Sequence, residues 1–112
     1  MIDSMEKKGD VGVLSLSGNL DISKQTRFKE EIVKSLGTEV SRVVLNFKGV
    51  SFIDSACLGV LVSLLRRLKT QGGDVRICSP QEEVRSIFQI TRMDRLFKMF
   101  DQVDEAVKSY SS

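Results

Sequence analysis

The chain has 112 residues, 41% hydrophobic and 29% charged, the balance of one globular domain over residues 1–112 with length enough for a single core. Seventeen Lys and Arg against fifteen Asp and Glu leave a formal charge of +2, too little for an electrostatic nucleic-acid footprint. The absence of histidine excludes a His-based triad or a His-ligated metal site within the chain. Two cysteines, Cys57 and Cys78, make no disulfide framework and suit a reducing cytoplasm.

The N-terminus, Met1 to Lys8, lacks the apolar segment of a signal peptide, and Ile2 to Lys8 is expected as a short edge strand. Gly9-Asp10 reads as a turn into a second strand, Val11 to Ser17, so a hairpin is plausible. Gly18 to Ser23 is expected as a loop. Ser23 is placed to cap a helix whose inner positions are Phe28, Ile32, Val33 and Leu36, and which Gly37 ends. Glu30 and Lys34 form a favourable pair four residues apart on its outer side.

Val43 to Phe47 is a nearly continuous apolar run, the pattern of a strand buried on both faces. The stretch from Val50 to Lys69 organises the rest. It begins extended, breaks at Asp54-Ser55, and continues with Leu58, Leu61, Leu65 and Leu68 at three- and four-residue steps, Leu64 widening the stripe. The longest uncharged run, Ser55 to Leu65, is too short to cross a bilayer. Gly72-Gly73 turns the chain into a strand over Asp74 to Cys78. Ser79-Pro80-Gln81-Glu82 predicts a helix start with Ser as cap and Pro first, and Val84, Ile87 and Phe88 as inner face. A last strand over Leu96 to Phe100 and a final helix capped by Asp101, carrying Val103, Ala106, Val107 and Tyr110, complete the chain. Strands alternating with helices imply an α/β fold with helices packed on a mixed sheet.

Several residues could carry chemistry. Asp54 and Ser55 stand at a helix N-terminus, where side-chain oxygens accept from N–H groups that lack intrahelical partners. They are either only a helix cap, or an exposed and geometrically fixed serine that another protein can find. Asp21 and Asp54 could approach each other, in a structural or recognition role, with Asp21 as a cap for the helix after Ser23's turn, or, as paired carboxylates, for acid–base or metal chemistry. Gly59 lies inside a helix at a cost of about 1 kcal/mol relative to Ala, explained either by packing against a strand or by the approach of a partner backbone. Cys57, in the first helical turn, is a small buried hydrophobe or a redox-active thiol. Met93, Phe97, Met99 and Phe100 read as packing, and Arg66, Arg67, Lys69, Arg92 and Arg95 as solvated faces. No Walker-type glycine loop or dinucleotide fingerprint is present.

Phe52-Ile53-Asp54-Ser55-Ala56-Cys57-Leu58-Gly59-Val60-Leu61 resembles the signature of the STAS domains, in particular the bacterial anti-sigma factor antagonists. Gly18-Asn19-Leu20-Asp21 resembles the family's turn after its second strand, and Val43 to Phe47 with Val50-Ser51-Phe52 its strand into the phosphorylation loop. The likeness runs over essentially the whole chain. It implies a single STAS domain with a four- to five-stranded mixed sheet and about four α-helices, mainly on one face. It implies a cytoplasmic, non-enzymatic regulator without cofactor or metal, which binds an anti-sigma serine/threonine kinase and releases the sigma factor. Ser55 would be the phosphorylation site that ends binding, and a metal-dependent serine phosphatase would reverse it. The implied partner surface is Asp21, Asp54, Ser55, Ala56, Cys57, Leu58 and Gly59, with no nucleic acid and no membrane insertion. The chain departs from the family pattern at Ala56, which replaces a second Ser or Thr, at Cys57, which replaces Gly, and at Asn46, where Asp is usual. Ala56 and Cys57 sustain an alternative: an adaptor docking on the ATPase of a membrane transport complex without phosphorylation.

Overall fold

In the computed structural model, residues 1–111 are described. They form β1 (Ile2–Lys8), β2 (Val11–Leu20), a 3-10 turn (Ile22–Lys24), α1 (Gln25–Leu36), β3 (Arg42–Ile53) and α2 (Ser55–Lys69). Then follow β4 (Asp74–Cys78), α3 (Glu82–Ile90), a second 3-10 turn (Met93–Arg95), β5 (Lys98–Phe100) and α4 (Val103–Lys108). The sheet runs β1-β2-β3-β4-β5, with β1 antiparallel to β2 and every other pair parallel. The fold is thus the α/β mixed sheet of five strands and four helices that the sequence implies.

The period-two alternation of the strands divides the core. Leu14 and Leu16 of β2, Val43, Leu45 and Phe47 of β3, and Val75 and Ile77 of β4 face the layer of α1, α2 and α3. Their neighbours Val11, Val13, Val44 and Cys78 point the other way, where Ala106 of α4 covers them. The buried Phe47, Phe88 and Phe97 stack edge to face, with centroids 5.8 and 6.2 Å apart, a geometry that suits the ring quadrupoles. Seven apolar residues of α2 are buried, among them Leu61, Leu64, Leu65 and Leu68, and truncating such a core leucine costs roughly 2–5 kcal/mol.

Several local expectations change. The strands β2 and β3 run on past Ser17 and Phe47, because their parallel pairing continues through a bulge to Leu20 and Ile53. On α1, Phe28, Ile32 and Leu36 are buried but Val33 is 40% exposed, since the inward stripe follows i, i+4, i+8 and position 33 lies beside it. Its ion pair is Arg27–Glu31 at 3.0 Å, not Glu30 with Lys34. Ser79 does not cap α3. It takes φ 57°, its N–H donates to Phe100 O (2.9 Å) and its hydroxyl to Asp101 O (3.0 Å), so Ser79-Pro80 is spent on the link to β5. The helix starts at Glu82, and Ile87 is partly buried. Asp101 does not cap α4 either, because its carboxylate pairs with Arg85 at 2.8 Å. The last strand is only Lys98–Phe100. Leu96 is exposed at the second 3-10 turn.

Candidate functional site at the start of α2

Parallel pairing sets Leu20 of β2 opposite Ile53 of β3, so the next residues, Asp21 and Asp54, leave the sheet side by side. Asp54 is extended (φ −105°, ψ 179°) and caps α2, its Oδ1 accepting from Cys57 N–H at 3.1 Å. Its Oδ2 accepts from Ile22 N–H at 2.8 Å, and its own N–H donates to Leu20 O at 3.0 Å. One carboxylate therefore ties the helix start to the segment after β2. Cys57 completes the tie by donating its Sγ–H to the Asp21 carbonyl at 3.3 Å, and Gln25 Nε2 donates to Ala56 O at 3.4 Å.

Asp21 serves a different turn. Its Oδ1 accepts from Ser23 N–H at 3.0 Å and from the Ser23 hydroxyl. It thereby caps the 3-10 turn, and α1 itself begins after Lys24 with no side-chain cap. The cap expected of Ser23 is thus supplied by Asp21, with Ser23 as donor. The Ser23 hydroxyl, ahead of its N–H and Lys24, holds the Asp21 carboxyl below its ordinary value. Asp21 and Asp54 lie in adjacent segments, each engaged by backbone N–H donors. They do not form a carboxylate pair sharing a proton, the arrangement that acid–base chemistry would use. Among the described residues, no group of three or more His, Cys, Asp or Glu side chains converges.

Capping by Asp54 leaves Ser55 free. It is the first residue of α2, exposed, and its hydroxyl makes no hydrogen bond among the described residues. Ser55 is therefore not the cap; Asp54 is. Helical rotation then sorts the residues that follow. Ala56 is half-buried and Gly59 exposed, whereas Cys57 and Leu58 are buried in the core. The side chains of Cys57 and Leu58 are thus corrected from a binding surface to packing, because positions 57, 58 and 61 share the inner face. The redox alternative for Cys57 fails on the same ground. Burial, then the Asp54 and Asp21 carboxylates, push its thiol from 9.0 up to about 11, the opposite of a reactive cysteine. Packing against a strand does not explain Gly59: a Cβ built there would meet nothing within 4 Å. Asn46 accepts from Lys48 N–H at 3.0 Å within β3.

Some surface features escaped the sequence. Ile22, next to Asp21, is 70% exposed, and Phe52, two residues before Asp54, is 42% exposed. An apolar groove also runs between α1 and α2, with Val33, Val60 and Leu64 along it. Its one sequence signal was Val33, five residues beyond Phe28 and so off the inward stripe.

The model of the STAS domain family matches residues 4–106. The chain is 32% identical over 100 residues, 88% of each chain, to a protein of Thermotoga neapolitana named as an anti-sigma factor antagonist homologue. It is 27% identical over 108 residues to the anti-sigma-B factor antagonist of Bacillus subtilis, across 96% of this chain and 92% of that one. A crystal structure of an anti-sigma factor antagonist from Thermotoga maritima superposes with a TM-score of 0.90 at 28% identity, over 97% of this chain and 94% of the other. With the fold, the aspartate-capped helix start and these relatives in agreement, the chain belongs to the STAS domain family.

Proposed function

We propose that the chain is an anti-sigma factor antagonist that binds an anti-sigma serine/threonine kinase through the start of α2 and the segment at Asp21, and so releases a sigma factor. The observation that carries this is the Ser55 hydroxyl, exposed and unbonded at the first position of α2 while Asp54 does the capping. Transfer of the γ-phosphoryl group of ATP to Ser55 Oγ, with loss of the hydroxyl proton and departure of ADP, adds about −1.5 to −2 charge. The positive end of the helix dipole and its free N–H groups stabilise that charge within the protein. A partner surface fitted to a neutral serine beside the Asp54 carboxylate meets repulsion instead. The fold survives, the interface is lost, and a metal-dependent serine phosphatase restores it. Ala56 has no hydroxyl, which leaves Ser55 the only acceptor at the start of α2.

The test is intact-mass measurement after incubation with the candidate kinase and Mg-ATP, with Ser55→Ala in parallel. One phosphoryl group on the wild type and none on the variant is expected. Ser55→Asp is expected to bind the kinase at least tenfold more weakly with an unchanged circular-dichroism spectrum, and undiminished binding would sink the charge mechanism. Stable binding without phosphorylation would favour a docking module, such as an adaptor on a transporter ATPase.

A further inference from the structure

We infer that the groove between α1 and α2 is a second docking surface for the protein that engages Ser55, and that its occupant is an amphipathic helix carrying carboxylates. The inference rests on the function proposed above. A groove of about 330 Å³ has Ile32 and Val33 of α1 on one side and Val60 and Leu64 of α2 on the other, with Lys29 and Arg67 at its rim. It continues past Gly59 toward the start of α2, where Gln25 and Thr26 form the opposite wall. The groove and the Ser55 surface are thus one continuous face.

Three observations select the occupant. Gly59 weakens the interior of α2, yet no neighbour in the chain requires it, since a Cβ would stand in open space. What its small size does is keep the groove open where it meets the α2 N-terminus. Val33 is 40% exposed over the groove, an apolar contact for a partner. Lys29 and Arg67 enter no ion pair among the described residues, although Arg27 on the same helix is paired with Glu31. Two unpaired cations over an apolar floor match an apolar stripe flanked by Asp or Glu. Glu30, on the outer side of α1 beside Lys29, repels a helix set too far toward solvent and so favours a seat between α1 and α2.

Length argues that this contact is auxiliary. The nine residues from Gly59 to Arg67 span a rise of about 12 Å, room for roughly two turns of a partner helix. That is far below the area of a stable interface alone. Joined to the Ser55 contact, it adds affinity that the phosphoryl group at Ser55 does not directly remove.

The test uses the full chain and the kinase that phosphorylates Ser55, with binding measured by calorimetry. Lys29→Glu with Arg67→Glu, and separately Ser63→Phe to fill the groove, are expected to raise Kd at least tenfold. Ser55 should still take one phosphoryl group at saturating kinase, and circular dichroism should report an intact fold. Unchanged Kd in both variants overturns the inference while leaving the Ser55 switch standing. If no kinase modifies Ser55, a synthetic 14-residue amphipathic helix with Glu flanking a Leu stripe serves as probe against the 15N-labelled protein. Amide shifts confined to Val33, Gly59, Ser63 and Arg67, absent with the Lys-for-Glu peptide, support the groove without the switch. Shifts elsewhere, or none, overturn it.

Discussion

The two ends of α2 are built to opposite standards. At its C-terminus the chain is locked. Gly73 N–H donates to Leu68 O at 2.8 Å, Asp74 N–H donates to Ser41 O at 3.0 Å, and a Cβ on Gly73 would lie 1.8 Å from the Ser41 carbonyl oxygen. Asp74 is buried and held by Lys69 at 3.5 Å and Arg76 at 3.2 Å. The Tyr110 hydroxyl lies 2.7 Å from both the Val43 and Asp74 carbonyls, with the Arg76 guanidinium 3.9 Å over its ring. At the N-terminus the backbone is just as well tied, by Asp54 and Cys57, but the outer face is left unused: a free Ser55 hydroxyl, an open Gly59, an exposed Ile22. The difference bears on the function proposed above: a rigid backbone with uncommitted side chains is what a partner can recognise, and the locked end holds the fold.

The same substitution at the two glycines separates these roles most sharply. Gly73→Ala drives a methyl into backbone that cannot yield, and should cost about 3 kcal/mol or more, the upper range for overpacking; a urea midpoint close to that of wild type would break the comparison. Asp54→Ala comes next, at about 1–2 kcal/mol for the lost cap, with faster amide exchange at Ile22 and Cys57. Asp54→Asn should recover part of that loss, since Asn also caps. Gly59→Ala should have the opposite sign, stabilising by about 1 kcal/mol and raising the melting temperature by roughly 4 °C. A destabilised Gly59→Ala would mean that the position is packed after all.

The smallest effect concerns pH. The Cys57 thiol ionises near about 11 in the folded state against 9.0 ordinarily, so between these values the unfolded chain gives up its proton first. Stability is complete below pH 9 and falls as pH rises through that window. Urea midpoints from pH 8 to 10.5 should therefore decline more steeply for wild type than for Cys57→Ala. Parallel declines would mean that the thiol is not sealed behind Asp21.

Much of this architecture was legible because periodicity reports burial directly. The leucines of α2, the double-sided run of β3 and the turn at Gly9-Asp10 all stand where the spacing puts them. The site was legible in outline, since Asp-Ser before a helical stripe marks a helix start. Elements failed where a polar side chain had competing partners. Ser79 and Asp101 both have cap chemistry, but one reaches the end of β5 and the other reaches Arg85. Such choices depend on residues 16 to 22 positions away.

The sequence by itself determined the α/β class, the inward face of each helix and the family likeness, because these follow from local spacing and from motifs contiguous in the chain. Only the tertiary structure decided that Asp54 rather than Ser55 takes the cap, that Cys57 is sealed, and that α1 and α2 leave a basic-rimmed groove open beside Gly59. Each of these depends on which segments β2 and β3 bring side by side, and on how the helices that follow them pack. Strand register and helix packing are properties of the assembled sheet, and no single window of sequence contains them.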